Sequence, residues 1–146
     1  MTGAVSEPSL LAIFAAEAQL HIAQIDANLD ALGSCGAAAR PALLASLLEA
    51  LHTLAGAARA VNLDALEWLC RALEGVFKAG GDAAAFDGGQ FSRLHEAVDM
   101  ARALTGRPEP RTRNLAIVLI ARLDAMACQS DAPASAPMTL TRSTST

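Results

Sequence analysis

Apolar residues recur at steps of three and four along most of this chain, which is the period of a helix that buries one face. The first such segment is predicted to run from about Pro8 to Leu32 and to end at the glycines that follow. A second begins at Pro41, a residue favoured at the first helical position, and continues to Val61. The predicted stripes are Leu11, Ala15, Ala18, Ile22, Ile25, Leu29 and Leu32 in the first segment and Leu44, Leu47, Leu51, Leu54 and Ala58 in the second.

The next two segments begin with the spacing of a capping box, in which an aspartate accepts from first-turn amides and a Glu or Gln three residues later reaches back. Asp64 and Glu67 have this spacing after Asn62, a residue that tolerates the left-handed conformation. Asp87 and Gln90 repeat the spacing. The third predicted helix buries Leu66, Leu69, Leu73, Val76 and Phe77 and stops at Gly80-Gly81, and the fourth buries Phe91, Leu94, Val98, Ala101 and Leu104.

A fifth helix is predicted from Arg111 to Ala127, through Leu115, Leu119, Leu123 and Met126. Its apolar face is broad because Ile117, Val118 and Ile120 widen it, so it is either covered on two sides or exposed to a missing neighbour. Short connections between long amphipathic helices favour an all-α fold, an antiparallel up-and-down four-helix bundle with an additional fifth C-terminal helix.

Composition agrees with one folded unit that carries tails. Tyrosine is absent, and the formal net charge of -4 comes without a basic cluster interleaved with aromatics, so nucleic acid is not an expected partner. Three widely separated cysteines suit reduced thiols. With no signal-peptide pattern and no apolar run near the ~20 residues of a membrane span, we expect a cytoplasmic protein without membrane insertion. Residues 1–7 are expected to be a flexible N-terminus, 8–128 the bundle, and 129–146 a flexible Ser/Thr/Pro-rich tail or linker.

One histidine departs from the apolar pattern on the second predicted helix. At about 100° per residue, His52 lies roughly 120° from the centre of the leucine stripe and should reach solvent, with Gly56 one turn later on the same flank. Glu74 flanks the stripe of the third helix, so the two polar side chains meet if the helices are antiparallel neighbours. A carboxylate that accepts a hydrogen bond from one imidazole nitrogen leaves the other free to attack an electrophile such as phosphorus.

Position alone does not separate His52 from an ordinary surface histidine, because His21 and His95 have similar settings. No Cys/His pair has the spacing of metal ligands, and no phosphate-binding loop is present. The sequence therefore predicts no metal, no cofactor and no nucleotide site of its own.

The stretch that begins at His52, HTLAGAARAVNLDALEWLCRALEGVF, resembles the histidine-containing phosphotransfer (HPt) domain, and looks most like the version at the N-terminus of CheA-type chemotaxis histidine kinases and related hybrid sensors. The FAAEA segment at 14–18 is similar to that family's first helix, and the five-helix layout fits residues 8–127. The resemblance implies that His52 is the phosphorylated histidine, Gly56 the small residue that lets a partner dock, and Glu74 the carboxylate that orients the ring.

This chain departs from the family at one charged position. The family usually has lysine three residues after the histidine, where the cation helps to hold the phosphoryl group, and here that residue is Ala55. Arg71 occupies a second, commonly basic or histidine position on the third helix and is the candidate to supply the missing charge. The resemblance implies that Ala55→Lys would speed transfer or stabilise the phosphoprotein.

Two hypotheses about function stay open. In the first, the chain is a phosphorelay carrier in two-component signal transduction: His52 accepts a phosphoryl group from a separate ATP-binding histidine kinase domain, in cis or in trans, and passes it to an aspartate of a response-regulator receiver domain. The chain would then be a fragment of a larger kinase or a stand-alone carrier. In the second, it is a degenerate HPt-like interaction module that docks a protein through its fifth helix, with His52 incidental.

Overall fold

The computed structural model describes residues 3–80 and 86–131, with side chains from 10 to 80 and 86 to 129, and this part of the chain forms helices without strands. The helices are α1 (Gly3–Ser34), α2 (Arg40–Ala60), α3 (Asp64–Ala79), α4 (Gly88–Ala103) and α5 (Pro110–Asp131). The first four close a ring in which each helix packs against the next and α4 returns to α1, while α5 packs outside the ring against α3 and α4. The predicted four-helix bundle with an additional fifth helix is confirmed.

Two helices extend beyond their predicted ends. α1 begins before the predicted start at Pro8, and α5 continues past the predicted end at Ala127 into the segment expected to be a tail. The remainder of that tail, from residue 132, and the second glycine of the Gly80-Gly81 stop lie outside the described residues.

The predicted stripes form most of the core, although Ala15 and Phe91 are only partly buried. Two further differences lie at the starts of α1 and α5. Phe14 is buried on α1, while Leu11 is only partly buried. At the start of α5 the buried residue is Ala116, and the predicted Leu115 is 56% exposed. Leu115 lies about 100° from Ala116 on the helix, so the face that packs against α3 turns it outward. The broad apolar face of α5 is therefore only partly covered: Leu119, Leu123 and Met126 are buried, whereas Leu115, Ile117 and Val118 are about half exposed.

A tight turn joins α2 to α3 and sets their relative register. Asn62 has φ of 62°, as predicted for a residue that ends a helix in the left-handed conformation. The amide of Leu63 donates to Ala58 O at 2.9 Å and that of Asn62 donates to Arg59 O at 3.1 Å, which together make a Schellman motif. Leu63 and Ala58 are both buried beneath it.

This turn makes the predicted Asp64/Glu67 capping box wrong. The residue at the N-cap of α3 is Leu63, and no side chain caps it. Leu63 is held there because its side chain is buried and its amide completes the end of α2, which moves Asp64 one position into the helix. An aspartate at that position contributes charge to the first turn but cannot accept as an N-cap does.

The second predicted capping box, at the start of α4, is confirmed. Asp87 Oδ1 accepts from the Gln90 amide at 2.8 Å, and Gln90 Oε1 accepts from the Asp87 amide at 2.9 Å. Phe86 packs edge-on against Phe91, with ring centroids 5.7 Å apart, and these residues hold the positions of a hydrophobic staple. The start of α4 is therefore fixed by both polar and apolar contacts.

One described helix, α2, is long and apolar enough to cross a membrane by length and composition, with a mean hydropathy of 1.3 over its most apolar stretch. Its apolar residues Leu47, Leu51 and Leu54 are part of the bundle core. Core helices of globular domains commonly have such a composition.

Candidate functional site

His52 lies on the outer surface of α2, beside the groove that α2 forms with α3. Its side chain is 72% exposed, and its Nδ1 lies 3.6 Å from Glu74 Oε2 on α3. This separation is slightly longer than a hydrogen bond, and a small rotation of either side chain would close it. His52 and Glu74 therefore approach each other in the structure, as predicted.

Glu74 is a nearly buried carboxylate whose two oxygens have different partners. Its side chain is 8% exposed; Oε2 faces His52, and Oε1 accepts from Arg71 Nη1 at 3.3 Å. Arg71 Nη2 lies 3.9 Å from Glu67 Oε2, one turn earlier on α3. Arg71 thus contacts one oxygen of Glu74, while the other oxygen faces the imidazole.

The arrangement assigns different roles to the two imidazole nitrogens. Nδ1 faces the carboxylate, so it carries the proton in the neutral ring, and Nε2 keeps its lone pair. Nε2 makes no hydrogen bond within the part of the chain that the structure describes. An exposed nitrogen lone pair on a ring whose other nitrogen faces a carboxylate can act as a nucleophile.

Arg71, the predicted phosphoryl-binding cation, is already paired with two carboxylates. Its guanidinium contacts Glu74 and Glu67, and its side chain is 43% exposed. A guanidinium has five N–H donors, so these two contacts leave others available on its exposed side. Glu67 lies on the flank of α3 that the helical period predicts for Arg71 and Glu74. Its contact with Arg71 was not predicted, although a spacing of four residues is that of a helical ion pair.

Gly56 and Ala55 are adjacent on α2, but one is exposed and the other is buried. Gly56 is exposed, and a Cβ built there would meet nothing within 4 Å. Ala55 is fully buried in the hydrophobic core. A lysine at 55 would therefore have to displace core atoms or bend its stem outward, which revises the expectation that Ala55→Lys simply restores a surface cation.

Cys70 lies on α3 one turn before Glu74, but it is not a competing nucleophile. The thiol is buried, and burial, followed by the negative charge of Glu74, raises its pKa from 9.0 to about 12. A thiol with such a pKa stays protonated and unreactive at neutral pH.

The other two histidines have different surroundings. His95, on α4, lies between Asp26 and Asp30 of α1, while His21 makes no ion pair among the residues described. Of the three, His52 alone pairs an exposed ring with a nearly buried carboxylate, a distinction that position in the sequence did not provide.

The fold and this site define a helical-bundle protein in which an exposed histidine faces a nearly buried carboxylate of the next helix. The family model of the Hpt domain matches residues 9–104, which include His52, Glu74 and the helices α2 to α4. The chain belongs to the Hpt domain family. Membership implies a histidine-phosphotransfer role in two-component phosphorelays, in which Hpt domains pass phosphoryl groups to response-regulator receivers. Neither a curated protein nor a solved structure matches the chain at a significant level.

Proposed function

We propose that His52 is the phosphoryl acceptor of this chain, that an ATP-binding histidine kinase domain supplies the group, and that an aspartate of a receiver domain takes it. The single observation that carries the proposal is the contrast between the 72% exposed imidazole and the 8% exposed carboxylate 3.6 Å from its Nδ1. An incoming phosphorus atom can reach the ring, while water has little access to the group that orients it.

The transfer follows from this geometry. The lone pair of Nε2 forms the N–P bond as the bond from phosphorus to the donor oxygen breaks, and that electron pair leaves with ADP or with the carboxylate of a phosphorylated aspartate. The Nδ1 proton stays on the ring, whose positive charge is stabilised by Glu74. In the onward step a receiver carboxylate oxygen attacks phosphorus, the N–P bond breaks, and its electron pair returns to Nε2.

Gly56 and Arg71 would assist from either side of the ring. The open space above Gly56 supports close approach by a receiver backbone, and Arg71 supports the negative phosphoryl group with its remaining donors while it holds Glu74. The partner supplies further charge stabilisation, because phosphoryl transfer depends mainly on positioning and electrostatics.

The kind of Hpt domain and its location are also proposals. The stretch from His52 onward supports a CheA-like phosphotransfer domain, joined to its kinase or acting on one in trans. The packing of the apolar residues of α2 inside the bundle supports a cytoplasmic protein that does not insert into membranes.

A second candidate function, a degenerate Hpt-like interaction module, is favoured by one observation. Ala55 stands where the family usually has lysine, and it is fully buried. Position 55 therefore supplies no cation to a phosphoryl group on His52. Exposed Leu115, Ile117 and Val118 on α5, outside the region matched by the family model, would then be the docking surface.

Phosphorylation of the full chain separates the two candidates. The chain is incubated with histidine kinases and labelled ATP, or with a phosphorylated receiver domain, and the product is treated with acid and alkali. The proposal predicts an acid-labile, alkali-stable label that His52→Gln abolishes and the matched variant His21→Gln keeps. A label retained in His52→Gln, or none with several competent donors, would refute it; receiver binding without labelling would support the second candidate.

A further inference from the structure

A second cluster of polar side chains lies between α1 and α4, away from His52. His95 of α4 places Nε2 3.4 Å from Asp30 Oδ1 and Nδ1 3.6 Å from Asp26 Oδ1. The two aspartates are one turn apart on α1. One ligand atom from each of the three residues can be chosen so that all lie within 4.8 Å of one another.

The charges of this cluster are not balanced by its own cation. Arg102 donates to Asp26 Oδ2 at 3.0 Å and to Asp99 Oδ1 at 2.9 Å. Asp26 therefore shares the guanidinium with Asp99, while Asp30 contacts His95 and no guanidinium among the described residues. A divalent cation between Asp26 and Asp30 would neutralise negative charge that Arg102 does not reach. Asp30 is 68% exposed on its side chain, so an ion has access from solvent.

The contact of Arg102 with Asp26 prepares that carboxylate as a ligand. It occupies Oδ2 and leaves Oδ1 directed at His95. Carboxylates that bind metals are commonly oriented by such an outer hydrogen bond. The arginine therefore acts as a support for the ligand and does not block the oxygen that faces the imidazole.

We propose that Asp26, Asp30 and His95 bind a divalent transition-metal ion, with Zn²⁺ as its probe, and that this ion ties α1 to α4. Imidazole nitrogen and carboxylate oxygen both bind zinc, and a site with three protein ligands keeps its fourth position for water. Tetrahedral bonds of about 2.1 Å put ligand atoms about 3.4 Å apart, which is the separation already present between His95 and Asp30. The third ligand, Asp26, faces the other ring nitrogen. Rotation of the imidazole and of the exposed Asp30 would place both carboxylates on one ion.

Sequence spacing predicted no metal site, because the ligands come from two helices that are distant in the chain. Only the packing of α1 against α4 brings Asp26 and Asp30 to His95. The site is independent of phosphotransfer, since none of its residues contacts His52 or Glu74.

Calorimetric titration of ZnCl₂ into the full chain at pH 7.5 tests the proposal. We expect one site, with the dissociation constant raised at least tenfold in His95→Gln and in Asp30→Asn. Asp99→Asn is the matched control, because Asp99 contacts Arg102 without facing the imidazole, and it should bind zinc as the wild type does. His52→Gln and Cys128→Ser should also bind normally.

Thermal melting gives a second readout. Free zinc at a hundred times its dissociation constant should raise Tm by about 10 °C, reversed by EDTA and absent in Asp30→Asn, an exposed substitution that does not disturb the core. Absence of one-site binding, unchanged affinity in both ligand variants, loss of binding in His52→Gln or Cys128→Ser, or an equal response to MgCl₂ would each overturn the proposal.

Discussion

Replacing Glu74 with alanine removes the carboxylate that lies 3.6 Å from Nδ1 of His52. When Nε2 bonds to phosphorus the ring becomes a cation. Its attraction to a carboxylate at that separation is about 1 kcal/mol in a medium like water and about 5 kcal/mol at the effective dielectric of a protein surface. Because the imidazole is 72% exposed, the lower half of this range applies. A loss of about 1 to 3 kcal/mol corresponds to a rate that falls roughly 5-fold to 160-fold.

The assay is rapid-quench measurement of phosphoryl transfer between a labelled receiver domain and the full chain at saturating receiver. Circular dichroism should show unchanged helical content in Glu74→Ala, since Arg71 is partly exposed and can be solvated once its partner is gone. Glu67→Gln is the matched control, because it removes a carboxylate that contacts Arg71 but not His52, and its rate should stay close to wild type. A folded Glu74→Ala variant that transfers at the wild-type rate would refute the orienting role.

Further predictions concern three single positions, of which Gly56 is exposed and Ala55 and Cys70 are buried. Gly56→Ala should raise stability by about 0.5 to 1 kcal/mol, since the added Cβ meets nothing and helix propensity improves; Gly56→Trp should slow transfer without lowering Tm, and an unchanged rate would remove the role in docking. Ala55→Lys should destabilise the chain by about 1 to 3 kcal/mol in denaturant unfolding, because the position is fully buried; faster transfer at unchanged stability would contradict this. Cys70 holds its proton more tightly in the folded state, so its contribution to stability is full below pH 9.0 and is lost as pH rises toward about 12. Across that pH range the free energy of unfolding should fall less in Cys70→Ala than in the wild type. An equal dependence of that free energy on pH in the two proteins would contradict the raised pKa of Cys70.

The sequence predicts the parts of this molecule that depend on local periodicity. Steps of three and four predict most of the buried residues of α1 to α4. The short connection after α2 predicts the left-handed Asn62. Together they predict that Glu74 approaches His52. The capping box at Asp64 failed because a buried leucine and the end of the preceding helix compete for the same position.

What the sequence could not predict depends on contacts between distant segments. The exposure of Leu115 is decided by how α5 rotates against α3, and the burial of Ala55 by how closely the bundle packs around α2. The meeting of His95 with two aspartates requires the register of α1 against α4, which no local pattern encodes.

The Schellman turn between α2 and α3 has a consequence for folding. His52 and Glu74 are only 22 residues apart, and the turn between them is closed by backbone hydrogen bonds and a buried leucine. Contacts at such short separation cost little chain entropy to form, so helical hairpins of this kind form rapidly. We therefore expect His52 and Glu74 to belong to one folding unit, whose register is established before the long-range packing of α1 against α4.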